Sequence, residues 1–141
     1  MSGRVCLDGN ILIHAPAAQG VEDLRFAKAN EILDGEDFGL SAQVVGEFIK
    51  NVPDPRKMVS PFDVDEVLNW VDRLYEFPVV LVDRELIEHA VYLKNRYKIE
   101  CWDAQIVTGA HRLGATKVYS EDINYGQLYG SVRVVNPFKP N

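Results

Sequence analysis

Short apolar runs recur along this chain: "RVCL", "FGLS", "VVLV", "KVYS" and "VRVV". Each is too brief to be a helix, and most are separated by segments whose apolar residues recur at helical spacing. Strands alternating with helices demand parallel βαβ units, because a parallel pair needs a long crossover. The pattern therefore predicts a three-layer α/β/α sandwich around a central, mainly parallel sheet.

In chain order, Arg4 to Asp8 reads as a buried strand, and Val21 to Leu33 as a helix stopped by Asp34-Gly35. Phe38 to Ser41 is a second strand, and Ala42 to Asn51 a helix that ends before Pro53. Ser60, Pro61 and Asp63 offer an N-cap, a first-turn proline and an early acid for a helix carrying Val64, Val67, Leu68, Val71 and Leu74. Pro78 introduces the "VVLV" strand, and Asp83 caps a helix with Leu86, Ala90, Leu93 and Tyr97 on one face. Trp102 to Leu113 is a further helix closed by Gly114, followed by two strands. No repeat, low-complexity tract or linker interrupts the 141 residues, so residues 1–141 are expected to form a single domain.

No apolar run is long enough to span a bilayer and the N-terminus lacks a signal-peptide pattern, which predicts a cytoplasmic protein with no membrane partner. Cys6 and Cys101 have no metal-ligand spacing and are expected as two buried thiols. The net charge of −6 argues against a broad basic surface for nucleic acid, unless several of the acids gather around a metal.

Four acids stand where such a gathering is possible. Ligands in open α/β sheets bind beyond the carboxyl ends of the strands. Asp8 ends the first strand, and Asp122 follows the fourth in "VYSEDINYGQ". Asp103 opens the helix "CWDAQ", and is read as lying at a strand-to-helix junction like the other two. Each of these three aspartates is individually explained by helix capping or turn chemistry. Glu47 resists that account, since it sits mid-helix among Val44, Val45, Phe48 and Ile49: it is either an exposed acid on a solvated face or one whose long side chain reaches the same sheet edge. Two carboxylates about 4 Å apart repel by roughly 4 kcal/mol at an effective dielectric of 20. A divalent cation relieves that repulsion, and an oxygen-only donor set suits Mg²⁺ or Mn²⁺ rather than zinc. Phosphoryl transfer by a metal-activated water is the chemistry such a site supports.

In that order, "LDGNILIHA", "SAQVVGEFI", "WDAQIVTGAHRLGA" and "VYSEDINYG" resemble the PIN-domain nucleases, and most closely the VapC-type toxins of toxin–antitoxin pairs. The resemblance runs from Arg4 to Phe138. It implies a PIN-like fold and a Mg²⁺- or Mn²⁺-dependent endoribonuclease acting on single-stranded RNA. Asp8, Glu47, Asp103 and Asp122 correspond to the family's catalytic, metal-binding quartet. Asn10 matches its Asp-x-Asn motif, and Ser120 the small hydroxyl residue before the last acid. A small antitoxin partner that inserts an Arg or Lys, and a homodimer, are further implications. Gly9 departs from the pattern by lacking a hydroxyl, and Glu121 competes with Asp122 for the fourth place.

The loop "KNVPDPRK" follows Glu47, and its Lys50, Arg56 and Lys57 are candidate RNA phosphate contacts, against the alternative of a solvated loop. Histidines 14, 89 and 111 are dispersed and suggest no nucleophile–base pair; Trp70 and Trp102 read as core residues. A receiver-like signalling domain would need a lysine after its last strand-end site, whereas Lys117 precedes its strand. A dehalogenase-type phosphatase would want an aspartate where Asn10 stands. A non-catalytic acidic α/β binding module is the remaining alternative, separable by metal-dependent RNA cleavage.

Overall fold

The expected alternation folds around one sheet. A computed structural model of the chain describes residues 3–16, 24–123 and 126–139. The sheet has six strands: β1 (Val5–Leu7), β2 (Phe38–Ser41), β3 (Val79–Val80), β4 (Lys117–Tyr119), β5 (Leu128–Tyr129) and β6 (Val132–Val135). Their order is β3-β2-β1-β4-β6-β5. Every neighbouring pair is parallel except the β5–β6 hairpin. Gly130 closes that hairpin at a φ of 63°, where a side chain would be strained.

The helices are α1 (Gly9–Leu12), α2 (Leu24–Gly35), α3 (Ala42–Asn51), α4 (Val64–Leu74), α5 (Arg84–Tyr97) and α6 (Cys101–Arg112). β1 is central and wholly buried, with β2 on one side and β4 on the other. Against it packs α6, in which Ala104 through Ala110 are all buried. Each large apolar side chain so enclosed contributes about 1.5–3 kcal/mol. The core thus fixes β1, β4 and α6, the elements that carry Asp8, Asp122 and Asp103.

Several boundaries depart from the sequence reading. The first turn of the helix expected from Val21 lies outside the described residues. α4 is capped by Asp63, not Ser60: Asp63 Oδ1 accepts from Glu66 N–H at 2.8 Å, and Asp63 N–H donates to Glu66 Oε1 at 3.1 Å. This reciprocal box satisfies two donors at once and outcompetes a lone serine three residues earlier. "VVLV" pairs only through Val79 and Val80; Leu81 is 69% exposed, because the run lies on a sheet edge and leaves it. β5, two residues long, is too short to leave a periodic signature. Cys101 is exposed as the first residue of α6, while Cys6 is buried. Trp102 beside it is likewise largely exposed, whereas Trp70 packs against Phe48 and Phe62.

Asp103 does not follow a strand. α5 runs into α6 through Lys98, whose left-handed φ of 55° reverses the chain. Asp103 then falls in the first turn of α6, two residues after its start.

Candidate active site

β1 ends in Asp8, whose carboxylate does two things. Oδ1 accepts from Gly9 N–H at 2.7 Å, capping α1. Oδ2 accepts from Ser120 Oγ–H at 2.7 Å and faces the Asn10 amide at 3.4 Å. Ser120, fully buried at the end of β4, also accepts from the backbone N–H groups of Asp122 and Ile123. Asn10 Oδ1 accepts from Glu121 N–H at 3.1 Å. Asn10 and Ser120 therefore tie the loop bearing Asp122 to Asp8.

Glu47 reaches the same place from α3. Its carboxylate lies so close to Gly9 that a Cβ there would collide with Glu47 Oε2. Gly9, which read as the loss of a hydroxyl, is the vacancy into which Glu47 fits. Gln43, one turn earlier, holds Glu47 Oε1 from behind with its Nε2 at 3.4 Å.

The electrostatics record the convergence. Burial, the largest cause, pushes the Asp8 carboxyl up to about 6; hydrogen bonds from Ser120 and Gly9 pull it down, and Glu47 and Asp103 push it up again. Asp103 is also raised, first by burial and then by Glu100, Asp122 and Glu47. Glu47 and Asp103 thus bear on Asp8, and Asp122 and Glu47 on Asp103, a linkage that four unrelated caps would not show.

Glu121 is settled elsewhere. Its carboxylate is held by His14 Nε2 at 3.1 Å and by Arg25 Nε at 3.1 Å. His14 is itself fixed edge-on to Phe138. Asp122 is exposed and joins Asp8 and Glu47 in the wall of an open cavity of about 390 Å³. Asn10, Asn51 and Lys57 complete its polar lining.

Of the three cations singled out in the loop after α3, only Lys57 lines that cavity. Arg56 is doubly bonded to Asp54 at 3.1 Å, and Lys50 is exposed on the last turn of α3. Asn51 was not singled out, although it lies four residues after Glu47 and so on the same helix face.

Among the described residues no three acid, histidine or cysteine side chains form a ready-made chelate. The donor set is nonetheless all carboxylate, mutually repelling, half-buried and open to solvent on one side. Hard divalent cations fit such a set.

A family model for the PIN domain matches residues 5–130. The chain belongs to the PIN domain family. Solved structures share the fold at low sequence identity. A toxin–antitoxin complex from Klebsiella pneumoniae superposes with a TM-score of 0.68 at 18% identity, over 94% of this chain and 97% of that one. VapC20 of Mycobacterium tuberculosis, described as a sarcin–ricin loop cleaving toxin, gives 0.65 at 18% identity, over 92% and 98%. FitAcB from Neisseria gonorrhoeae gives 0.61 at 21% identity, over 95% and 98%. Among curated proteins the sequence has no significant match. Among the described residues of this PIN domain no helix is long and apolar enough to cross a membrane.

Proposed function

We propose that this PIN domain is a metal-dependent endoribonuclease, the toxin of a toxin–antitoxin pair, cutting single-stranded regions of RNA in the cytoplasm. Residues 1–141 act as one catalytic domain. The observation that carries the reading is that Asp8, Glu47 and Asp122 line one open cavity, with Asp103 near enough for Asp122 and Glu47 to raise its carboxyl. The toxin–antitoxin context of the structural relatives adds to it.

The four carboxylates would hold Mg²⁺ or Mn²⁺. A cation bound there supplies a water of lowered pKa and screens charge on the leaving oxygen. The chain's own residues do the rest. Ser120 and Asn10 fix the Asp8 carboxylate in one orientation. Gln43 steadies Glu47, and Gly9 gives it room. Lys57 attracts a backbone phosphate to the cavity, whereas Lys50 lies outside its lining and Arg56 is paired with Asp54. Among the described residues no serine, cysteine or histidine is placed as a nucleophile, and water attacks phosphorus directly and expels the 3′-oxygen. The products carry 5′-phosphate and 3′-hydroxyl ends.

An antitoxin inhibits by placing an Arg or Lys among the acids; a guanidinium pairs bidentately with carboxylates and displaces both metal and substrate. The assembly is a homodimer. Its support is apolar surface on α5, where Ile87 and Val91 stand one turn apart at 40% and 60% exposure. Such exposed pairs are what an interface covers.

The test is cleavage of total RNA with Mg²⁺ or Mn²⁺ and with EDTA, followed by mapping of the ends. Cuts that need metal, vanish in Asp103→Asn and bear 5′-phosphates are expected. Cyclic-phosphate ends, or full activity in EDTA, defeat the reading.

A further inference from the structure

The acid cavity has one edge that is not acidic. α3 ends at Asn51, and the chain then turns through Asp54 to Lys57. The turn is pinned at both ends by buried Val52 and Met58. Within it, Asp54 N–H donates to Asn51 O at 3.1 Å, and Lys57 N–H and Met58 N–H both donate to Asp54 O at 3.0 Å. Asp54 also accepts from the Arg56 backbone and guanidinium. Arg56 is thereby turned onto the loop itself, and Lys57 is left on the cavity wall.

The polar groups of the lining differ in what they have left to offer. The carboxylates of Asp8, Glu47 and Asp122 are acceptors that repel an anion. The Asn10 amide is engaged on both sides, by Asp8, Ser120 and Glu121. Among the described lining residues Lys57 is the one cation, and it makes no ion pair with a described residue. Asn51 is, among the same residues, the one neutral polar side chain whose amide has no hydrogen bond to a described residue. An ammonium suits a phosphate oxygen. A carboxamide, donor and acceptor together, suits a neutral group that is also both, and in a polynucleotide backbone that group is the ribose 2′-hydroxyl.

Resting on the nuclease reading above, we infer that Asn51 is the specificity residue of this site: its amide binds the 2′-hydroxyl of a nucleotide whose phosphate Lys57 holds. RNA is thus told from DNA at the cavity's neutral edge rather than at the acids. Discrimination of this kind follows from one hydrogen bond, since a substrate lacking the hydroxyl leaves the amide without a partner.

The experiment uses a labelled RNA spanning a cleavage site mapped in total RNA, and twins carrying a single 2′-deoxy nucleotide on either side of the scissile phosphate. Wild type is expected to lose about five- to tenfold in kcat/KM on one of the two twins, the worth of one neutral hydrogen bond. Asn51→Ala should cut the all-RNA strand more slowly by a similar factor and be indifferent to that deoxy position. Asn51→Leu, of similar volume and without polar atoms, should behave alike. The Mn²⁺-induced rise in Tm should be unchanged in both variants, because Asn51 does not hold the ion. Lys57→Ala should retain the deoxy penalty and lower the salt dependence of binding by about 0.7 in log–log slope, the share of one single-strand phosphate. If wild type cuts RNA but shows no deoxy penalty, or Asn51→Ala keeps it in full, this inference falls alone. If wild type does not cut RNA with metal, the nuclease reading falls and takes it along.

Discussion

The acid-bearing edge of the sheet and the α4–α5 flank are held in different ways. At the edge, Asp8 is only 7% exposed, and each of its oxygens accepts a hydrogen bond from the chain itself. On the flank, α4 buries only Leu74, and α5 only Leu86 and Ala90, while Val64, Leu68, Val91 and Tyr92 stand more than half exposed. The edge accepts unfavourable charge inside a rigid frame. The flank accepts unfavourable apolar exposure on helices that pack through one face only, by Val67 and Trp70 of α4 and Leu93 and Tyr97 of α5. Strain of the first kind points to chemistry and of the second to a partner.

The largest contrast should appear in activity. Asp103→Asn is expected to lower kcat/KM for RNA by more than the roughly 10–100-fold that losing an outer partner of a metal site costs. Val91→Asp should leave kcat within about twofold once the protein concentration is matched, since surface changes away from a site are usually within ±0.5 kcal/mol. A flank variant as inactive as the acid variant, with its Tm intact, would erase the distinction.

Stability against pH separates the regions next. Asp8 is raised from 3.8 to about 6 in the folded protein, with burial the first cause. A raised carboxyl favours the fold below its unfolded value and withdraws that support as pH climbs through the folded value. For Asp8 the loss amounts to about 2 kcal/mol between pH 4 and pH 7. In EDTA, Asp8→Asn should therefore melt above wild type at pH 7, by roughly 2–4 °C or more per kilocalorie, and the two should approach each other at pH 4. Asn keeps one oxygen for Gly9, so the cap is preserved, while its Nδ2 replaces the oxygen that accepts from Ser120. Parallel melting curves across that range would mean that Asp8 feels no burden from its surroundings. Val91→Asp should show no such convergence.

These two regions also differ in how far their sequence discloses them. Asp8 and Asp122 were legible because strand ends and turn acids are local features. Glu47 was legible because a charge amid Val44, Val45 and Phe48 has no local explanation. Asp103 is legible as a helix-start acid, but its junction is not strand-to-helix: the α5–α6 reversal at Lys98 precedes it, a tertiary arrangement. Glu121 and Asp122 are alike in sequence, and only His14 and Arg25, both distant along the chain, part them. Asn51 did leave a signal, its four-residue spacing from Glu47. On the flank, the spacing of Val64, Val67, Leu68, Val71 and Leu74 correctly gave a helix. It was silent on burial, because periodicity reports an apolar face and not what covers it. "VVLV" failed for the same reason at the sheet's edge.

The exposed face itself gives the third test. Val91→Asp should shift the protein from dimer to monomer in sedimentation, raising the dissociation constant by about 30-fold or more if Val91 is an interface hot spot worth about 2 kcal/mol. Wild type sedimenting as a monomer at micromolar concentration would refute the dimer and leave α5 without its proposed cover.

The smallest effect concerns how α4 is fixed on that flank. With only Leu74 buried, the helix owes its start to the bonds between Asp63 and Glu66 rather than to burial. Asp63→Ala removes the acceptor of the Glu66 N–H and should cost about 1 kcal/mol, the usual worth of a cap. For a chain of this size that is a fall in Tm of roughly 2–4 °C or somewhat more. Ser60→Ala removes the residue that the sequence pattern alone would choose, and should stay within about 0.5 kcal/mol of wild type. Both substitutions are on exposed residues, so neither opens a cavity and the comparison isolates the cap. If Ser60→Ala is the costlier of the two, α4 begins earlier than the Asp63–Glu66 box places it, and Pro61 regains its first-turn position. If both are neutral, the helix start is fixed by packing after all, and the flank is held more like the edge than their burial suggests.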